Sequence, residues 1–418
     1  MKIAEPSWAP SFFIARQPIL TAGQKLFAYE LLFRSGVQAA FDPSFSGEQA
    51  TSKVISNSFF MLGLDKVTHG KKAFINFTEE MLLNKYPLLC DRKLTVVEVL
   101  EDVKVGPEIV KSCRHLADKG YTLALDDFAY SPAWAPLLTM AKIVKFDIML
   151  TDRQNLIRQV EQVRPFGVKL LAEKVESQEE FEFFKDLGFH YFQGFFFSKP
   201  AIISGRDIPS AKLNVLRLLG IMNDLELDFD FSRLSGVVGN DLSLSYRLLK
   251  FVNSSWLGLP NKIESVNSAV AMLGEESLRK WLSLIALSMM ADDKPSELMR
   301  MAIFRSAFCE KLAELAPPLR GRAGALATIG MFSLLEAILD KPMAEILAEL
   351  SLSDEVNDAL LGKKGGALTL PLRMLQAYEY GEWSQVDAIA GELKVEREQL
   401  PALFSHAVNA VALLEDTL

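Results

Sequence analysis

"YTLALDDFAYSPAW", Tyr121–Trp134, runs an apolar-leaning segment straight into two adjacent carboxylates, Asp126 and Asp127. Leu123 to Leu125 read as a buried strand, and a strand that ends on two acids delivers charge to the edge of a core. In a barrel of parallel strands the C-terminal ends converge on one mouth, so the residue types found there report on chemistry. The reading of this stretch therefore turns on whether the rest of the chain supplies a barrel.

Working outward, the chain up to about Pro200 alternates β-like runs with amphipathic stretches. Eight runs have strand character: "FFIARQPIL", "FAYELLF", "KAFINFT", "LTVVEVL", "YTLALDD", "IVKFDIM", "VKLLAEKV" and "YFQGFFF". Periodic segments such as "GPEIVKSCRHLADKG" and "SQEEFEFFKDLG" lie between them and close on glycine, a helix C-terminal signal. Such repetition predicts a (β/α)8-type, TIM-like barrel. Beyond "SKPAIISGRDIPS" the β-like runs stop. From Ala211 amphipathic helices follow one another, among them "SLRKWLSLIALSMM" and "MRMAIFRSAFCEKLAEL", with turn signals at Asn253-Ser254, Pro260 and Gly274. A barrel over 1–203 followed by an all-α domain over 204–418 is expected, in keeping with a length of 418 residues.

The composition narrows the function classes. A net charge of −8 argues against a DNA or RNA polymer as partner, which needs a clustered basic face. A local basic groove for a phosphate ligand is compatible with that total. Three widely spaced cysteines, Cys90, Cys113 and Cys309, form no CxxC pair and fit a reducing compartment. No N-terminal signal pattern and no apolar run of about 18 residues is present, so a cytoplasmic protein without a membrane span is expected.

The strand ends are unusually acidic. Glu30 stands in "YELLF", Asn76 in "INF", Glu98 and Glu101 in "VEVLED", and Asp126-Asp127 in "LDDF". Lys145 and Asp147 follow in "VKFD", Glu173 and Glu176 in "AEKVE", and Gln193 in "FQGF". One acid in an apolar run is usually a solvent-facing strand end. Several at successive strand ends repel one another unless divalent cations neutralise them. Oxygen ligands without His or Cys suit Mg²⁺ or Mn²⁺, and one lysine among them suits metal-assisted phosphoryl chemistry. The four histidines are scattered, and no phosphate-loop, dinucleotide or hydrolase-elbow motif competes.

In this order the residues of Phe12 to Pro200 resemble the EAL family of cyclic di-GMP phosphodiesterases. "ARQPIL", "YELLFR", "FINFT", "VEVLE", "ALDDF", "VKFD", "AEKVES" and "FQGFFFSKP" carry the likeness, with Leu31 for the family's alanine, Thr78 for serine and Leu100 for threonine. The resemblance implies two metal ions, one held by Glu30, Asn76, Glu98 and Asp126. Asp126 would bridge to the second, held also by Asp127 and Glu173. Lys145, Glu173 and Glu176 would form the catalytic set, with Lys145 orienting the attacking water and Glu176 supporting the water network. Gln17, Arg34 and Gln193 would contact the dinucleotide. The implied reaction opens cyclic di-GMP to linear pGpG, lowering the messenger and so favouring motility over biofilm.

Two departures bear on this. Where the family carries a glycine-bearing loop that couples metal binding to dimerisation, this chain has Phe128–Trp134. Both glycines are gone and Pro132 stiffens the backbone. Glu101, which steadies that loop in the family, is present. The "FDPSFSGEQATSKVISNSF" stretch lacks the family's usual helix opening, which bears on the expected homodimer through the barrel. The retained ligand set and Lys145 favour an active enzyme. The altered loop favours the alternative, a catalytically inactive cyclic di-GMP receptor that signals through its helical half.

The helical half resembles the HDOD domain, most clearly in "RLLKFVNSS" and "AVAMLG". An active relative of that fold needs a histidine and a His-Asp pair, whereas this chain has Ser306 and Ser333-Leu334 in the corresponding stretches. A sensing module with a protein partner is expected there.

Overall fold

The computed structural model describes residues 12–35, 64–198, 248–253, 262–263, 265–291, 294–350, 352–363 and 366–415. The "FDPSFSGEQATSKVISNSF" stretch and nearly all of "SKPAIISGRDIPS" lie outside them. Two compact units divide the chain, with the principal change at Phe197–Ser198.

Eight strands close into a barrel in chain order. They are β1 (Phe12–Thr21), β2 (Leu26–Ser35), β3 (Lys72–Phe77), β4 (Thr95–Val99), β5 (Thr122–Leu125), β6 (Ile143–Asp147), β7 (Lys169–Glu173) and β8 (Tyr191–Gln193). From β2 to β8 neighbouring strands run parallel. β1 is antiparallel to both β2 and β8, so the barrel is not uniformly parallel as expected. The reason is length: only residues 22–25 separate β1 from β2, far too few for a parallel crossover, which takes a dozen or more. Gln24 takes φ 54° in that turn.

The two helices read most directly from the sequence form as expected. α1 (Pro107–Asp118) starts with proline in its first turn, where a missing N–H costs nothing. It buries Ile109, Cys113 and Leu116 at helical spacing. α2 (Gln178–Asp186) opens on a complete capping box between Ser177 and Glu180. Gly120 and Gly188 follow these helices at φ 88° and 95°, a conformation that costs glycine no Cβ clash.

Strand alternation then sorts the interior. Ile19, Ala28, Phe74, Val96, Ala124, Ile143, Leu171 and Tyr191, one from each strand, form a buried apolar cluster. Side chains two residues apart on a strand share a face. The inward positions two further toward the C-terminal mouth are therefore Glu30, Asn76, Glu98, Asp126, Lys145, Glu173 and Gln193. On the reversed β1 the equivalent residue is Gln17, two before Ile19. A packed apolar layer thus carries a layer of polar and charged side chains above it.

The second unit is helical in its described residues, with α3 (Val266–Met290), α4 (Ser296–Leu315) and α5 (Ala323–Phe332) among a succession of helices. α3 kinks at Gly274, φ 71°, where a turn signal was expected. Gly330 on α5 lies so near α4 that a Cβ would stand 2.3 Å from the Arg305 carbonyl oxygen. Among the described residues no helix is long and apolar enough to cross a membrane.

Gly194 follows β8 directly after Gln193 of the polar layer. Its φ is +138° and an added Cβ would meet the Val175 carbonyl oxygen at 2.1 Å, while Val175 N–H donates to the Gln193 carbonyl at 3.0 Å. A Gly194→Ala variant should lose at least about 1–3 kcal/mol from backbone strain, read as a lower urea midpoint with unchanged slope.

Candidate active site

The polar layer centres on Lys145. Its ammonium is fully buried and lies 2.5 Å from Glu98 Oε1, 2.7 Å from Asp126 Oδ1, 2.8 Å from Glu173 Oε1 and 3.6 Å from Glu30 Oε2. Three carboxylates on other strands and Asp126, just past β5, thus face one cation. Glu30 also accepts from Asn76 Nδ2 at 3.1 Å and from Gln193 Nε2 at 2.6 Å. Gln193 Nε2 donates to Gln17 Oε1 at 2.8 Å as well, which joins β1 to the group.

Backbone geometry after β5 sets the paired aspartates. Asp126 N–H donates to the Val99 carbonyl and Phe128 N–H to the Lys145 carbonyl, each at 3.0 Å, so the chain leans first on β4 and then on β6. Asp127 between them takes φ 38°, uncommon for a residue with a Cβ, and its N–H donates to Asp126 Oδ1 at 3.1 Å. The pair consequently turns different ways from adjacent positions.

Ligand atoms of Glu30, Glu98 and Asp126 all lie within 4.8 Å of one another, and so do those of Asp126, Asp127 and Glu173. Asp126 is common to both groups. The buried Asn76 Oδ1 beside the first has no hydrogen-bond partner among the described residues. An unpaired buried carbonyl oxygen next to an all-oxygen acid group fits a hard divalent cation.

Titration follows from this crowding. Burial pushes the Glu98 and Glu173 carboxyls well above the usual range, against the pull of Lys145. Burial alone would lower Lys145, but Glu173, Glu30, Glu98 and Asp126 outweigh it and hold the ammonium charged. Asp127 is raised by burial and then by Asp126 and Asp147.

Three further expected residues remain. Glu176 is exposed, and its N–H donates to Glu180 Oε2 at 2.8 Å. Glu101 is exposed and bears on Asp127 through its charge. Arg34 lies in β2 opposite Phe13, and its side chain is outside the described residues. The loop without glycines packs by aromatic contact: Phe128 meets Trp134 and Phe146 edge-on at 5.7 and 6.0 Å. Tyr130 N–H donates to Gln159 Oε1 at 3.0 Å.

Lys174 escapes sequence reasoning. It pairs with the buried Asp147 and its positive charge reaches Asp127. A lysine just past a strand is ordinary in sequence; only its φ of 57° marks it. In the helical unit, Arg305 Nη1 donates to Ser333 Oγ at 3.0 Å, and Ser306, the next residue of α4, is buried. A guanidinium therefore stands against one of the two serine positions.

Residues 62–200 match the family model described as the EAL domain and residues 208–369 the one described as the HDOD domain. The EAL match begins after β1 and β2, so Gln17 and Glu30 precede it. Two relatives are similar over almost the full chain. "Uncharacterized protein YuxH" of Bacillus subtilis is 35% identical over 393 residues, 92% of this chain and 94% of that protein. "Cyclic di-GMP phosphodiesterase CdgJ" of Vibrio cholerae is 35% identical over 390 residues, 93% of this chain and 89% of that protein.

Removing the central cation should be costly. Lys145→Met strands three buried carboxylates and the half-buried Asp126 and is expected to lose about 3–5 kcal/mol, measured by urea unfolding near pH 7. Carboxyls raised in the folded state lose their contribution as pH rises through their folded values. The deficit should therefore deepen from pH 5 to pH 8, and added Mn²⁺ should restore part of it.

Proposed function

The chain belongs to the family of proteins that join an EAL domain to an HDOD domain, and from that premise we propose that its barrel hydrolyses cyclic di-GMP to linear pGpG. CdgJ, similar over nearly the whole length, is by name a cyclic di-GMP phosphodiesterase. The observation that carries the proposal is the pair of acid groups sharing Asp126 around the buried Lys145.

In this reading Glu30, Asn76, Glu98 and Asp126 hold one Mg²⁺ or Mn²⁺, and Asp126, Asp127 and Glu173 a second. Such ions supply charge neutralisation at the phosphodiester and a water acidified for attack on phosphorus. Lys145 keeps the carboxylates of both groups in place. An ammonium has three N–H donors, and three carboxylates stand within 2.8 Å of it. With those carboxylates holding cations, one of its N–H groups would be available to orient the attacking water. Glu176 extends the water network, Gln17, Arg34 and Gln193 orient the dinucleotide, and Glu101 steadies the loop at Asp127.

The barrel over 1–203 then acts on the messenger, and the helical half over 204–418 senses or binds a protein partner. A homodimer through the barrel, a cytoplasmic location and an effect on motility and biofilm complete the proposal. The second reading, a receptor without turnover, draws on the aromatic packing of Phe128 in the loop that has lost both glycines.

Purified protein incubated with cyclic di-GMP and Mg²⁺ or Mn²⁺ should release pGpG, and Glu30→Ala should lower kcat by about two orders of magnitude or more. Micromolar binding without product would decide for the receptor. A calorimetric titration with Mn²⁺ should show proton release on binding, because burial raises Glu98 and Glu173. The apparent affinity for Mn²⁺ should accordingly rise with pH.

A further inference from the structure

The inward-facing period of the strands continues below the apolar layer. Two residues before Phe74, Ala124 and Leu171 stand Lys72, Thr122 and Lys169, at the starts of β3, β5 and β7. Side chains at this spacing share the inward face, so two lysines and a hydroxyl converge on the mouth opposite the acids. Lys142 adjoins them, its carbonyl accepting from Lys169 N–H at 2.9 Å. With Phe27, Val96, Ile143, Gly167 and Tyr191 they line a cavity of about 380 Å³.

The lining carries three lysines and no acid, in a chain whose net charge is −8. Among the described residues no carboxylate pairs with Lys72, Lys142 or Lys169. Lys169 is tethered instead, donating to Tyr191 Oη at 3.1 Å, with its ammonium 5.4 Å from that ring's centre. Phe27 stacks on Tyr191 at 4.1 Å and 15°, which gives the cavity a flat aromatic wall. The Val96 and Ile143 side chains belong to the apolar layer that separates this mouth from the acids.

We propose that this lower mouth binds a small phosphate-bearing anion. Lysine ammonium groups serve phosphate as point charges. A volume of about 380 Å³ falls within the range of small-ligand sites, about 300–1,000 Å³, and leaves room beyond a bare phosphate for a group lying on the aromatic wall. The acids at the other mouth repel a phosphate when no divalent cation is present, so this second site is separable from the first by chelation.

The test uses the full chain in EDTA at low ionic strength, titrated calorimetrically with pyrophosphate and separately with GMP. Binding of either is expected, weakened about tenfold or more by Lys72→Gln with Lys169→Gln and by added salt. Tighter binding of GMP than of pyrophosphate assigns the aromatic wall to a base; the reverse assigns the site to the phosphates alone. Thr122→Glu, which places a carboxylate in the same mouth and keeps both lysines, should abolish binding even if the double variant is unstable. No heat with either probe at millimolar concentration, or heat unchanged in Thr122→Glu, would overturn the proposal.

Discussion

The barrel mouth depends on one buried ammonium. Lys145 is fully enclosed and bears on Glu30, Glu98, Asp126 and Glu173 at once. Bringing four carboxylates together inside a protein is prohibitive unless charge is compensated or protons are taken up. One lysine offsets one charge, and burial shifts the Glu98 and Glu173 carboxyls toward their neutral forms, which reduces the surplus negative charge without cancelling it. A scaffold that holds this imbalance is arranged for cations, because each proton it retains is one that a cation can displace.

Strand periodicity explains why so much of this was legible in the sequence. A strand of four or five residues shows its inward pair directly, as in Ile143 and Lys145 or Leu171 and Glu173, apolar below and charged above. The same two-residue step assigns Val96 and Glu98 on β4 and Phe74 and Asn76 on β3. What the linear pattern hid was direction. The β1 run looks like any other, yet its antiparallel course brings Gln17, not a residue nearer its C-terminal end, level with Glu30. Only the shortness of the β1–β2 connection carried that information. Lys174 was hidden for another reason: its partner Asp147 belongs to a different strand, and a left-handed backbone leaves no mark in composition.

The loop after the paired aspartates shows how local chemistry and long-range packing divide the work. Loss of both glycines removes easy access to unusual backbone angles. Asp127 nonetheless holds φ 38°, with Val99 and Lys145 carbonyls fixing the residues on either side. The strain is thus met by neighbouring strands rather than by a flexible residue. Phe128 against Trp134 and Phe146 then ties the loop to the barrel wall. The positions of the acids therefore rest on strand hydrogen bonds and aromatic packing.

The two halves of the chain make an instructive electrostatic contrast. In the barrel, a cation is surrounded by an excess of acids, and the surplus negative charge favours added metal. In the helical unit the corresponding ground holds Arg305 beside Ser333, with Ser306 buried nearby. A guanidinium stays charged at any physiological pH, and serine hydroxyls are weak ligands beside histidine and aspartate. Replacing the ligands while adding a fixed positive charge disfavours a divalent cation twice over. Gly330 lets α4 and α5 approach to backbone contact at that point, where an added Cβ would stand 2.3 Å from the Arg305 carbonyl oxygen and 2.9 Å from Ser306 N, and Ser333 Oγ donates to the Gly330 carbonyl at 2.8 Å, so both serine positions lie at a tight helix–helix contact.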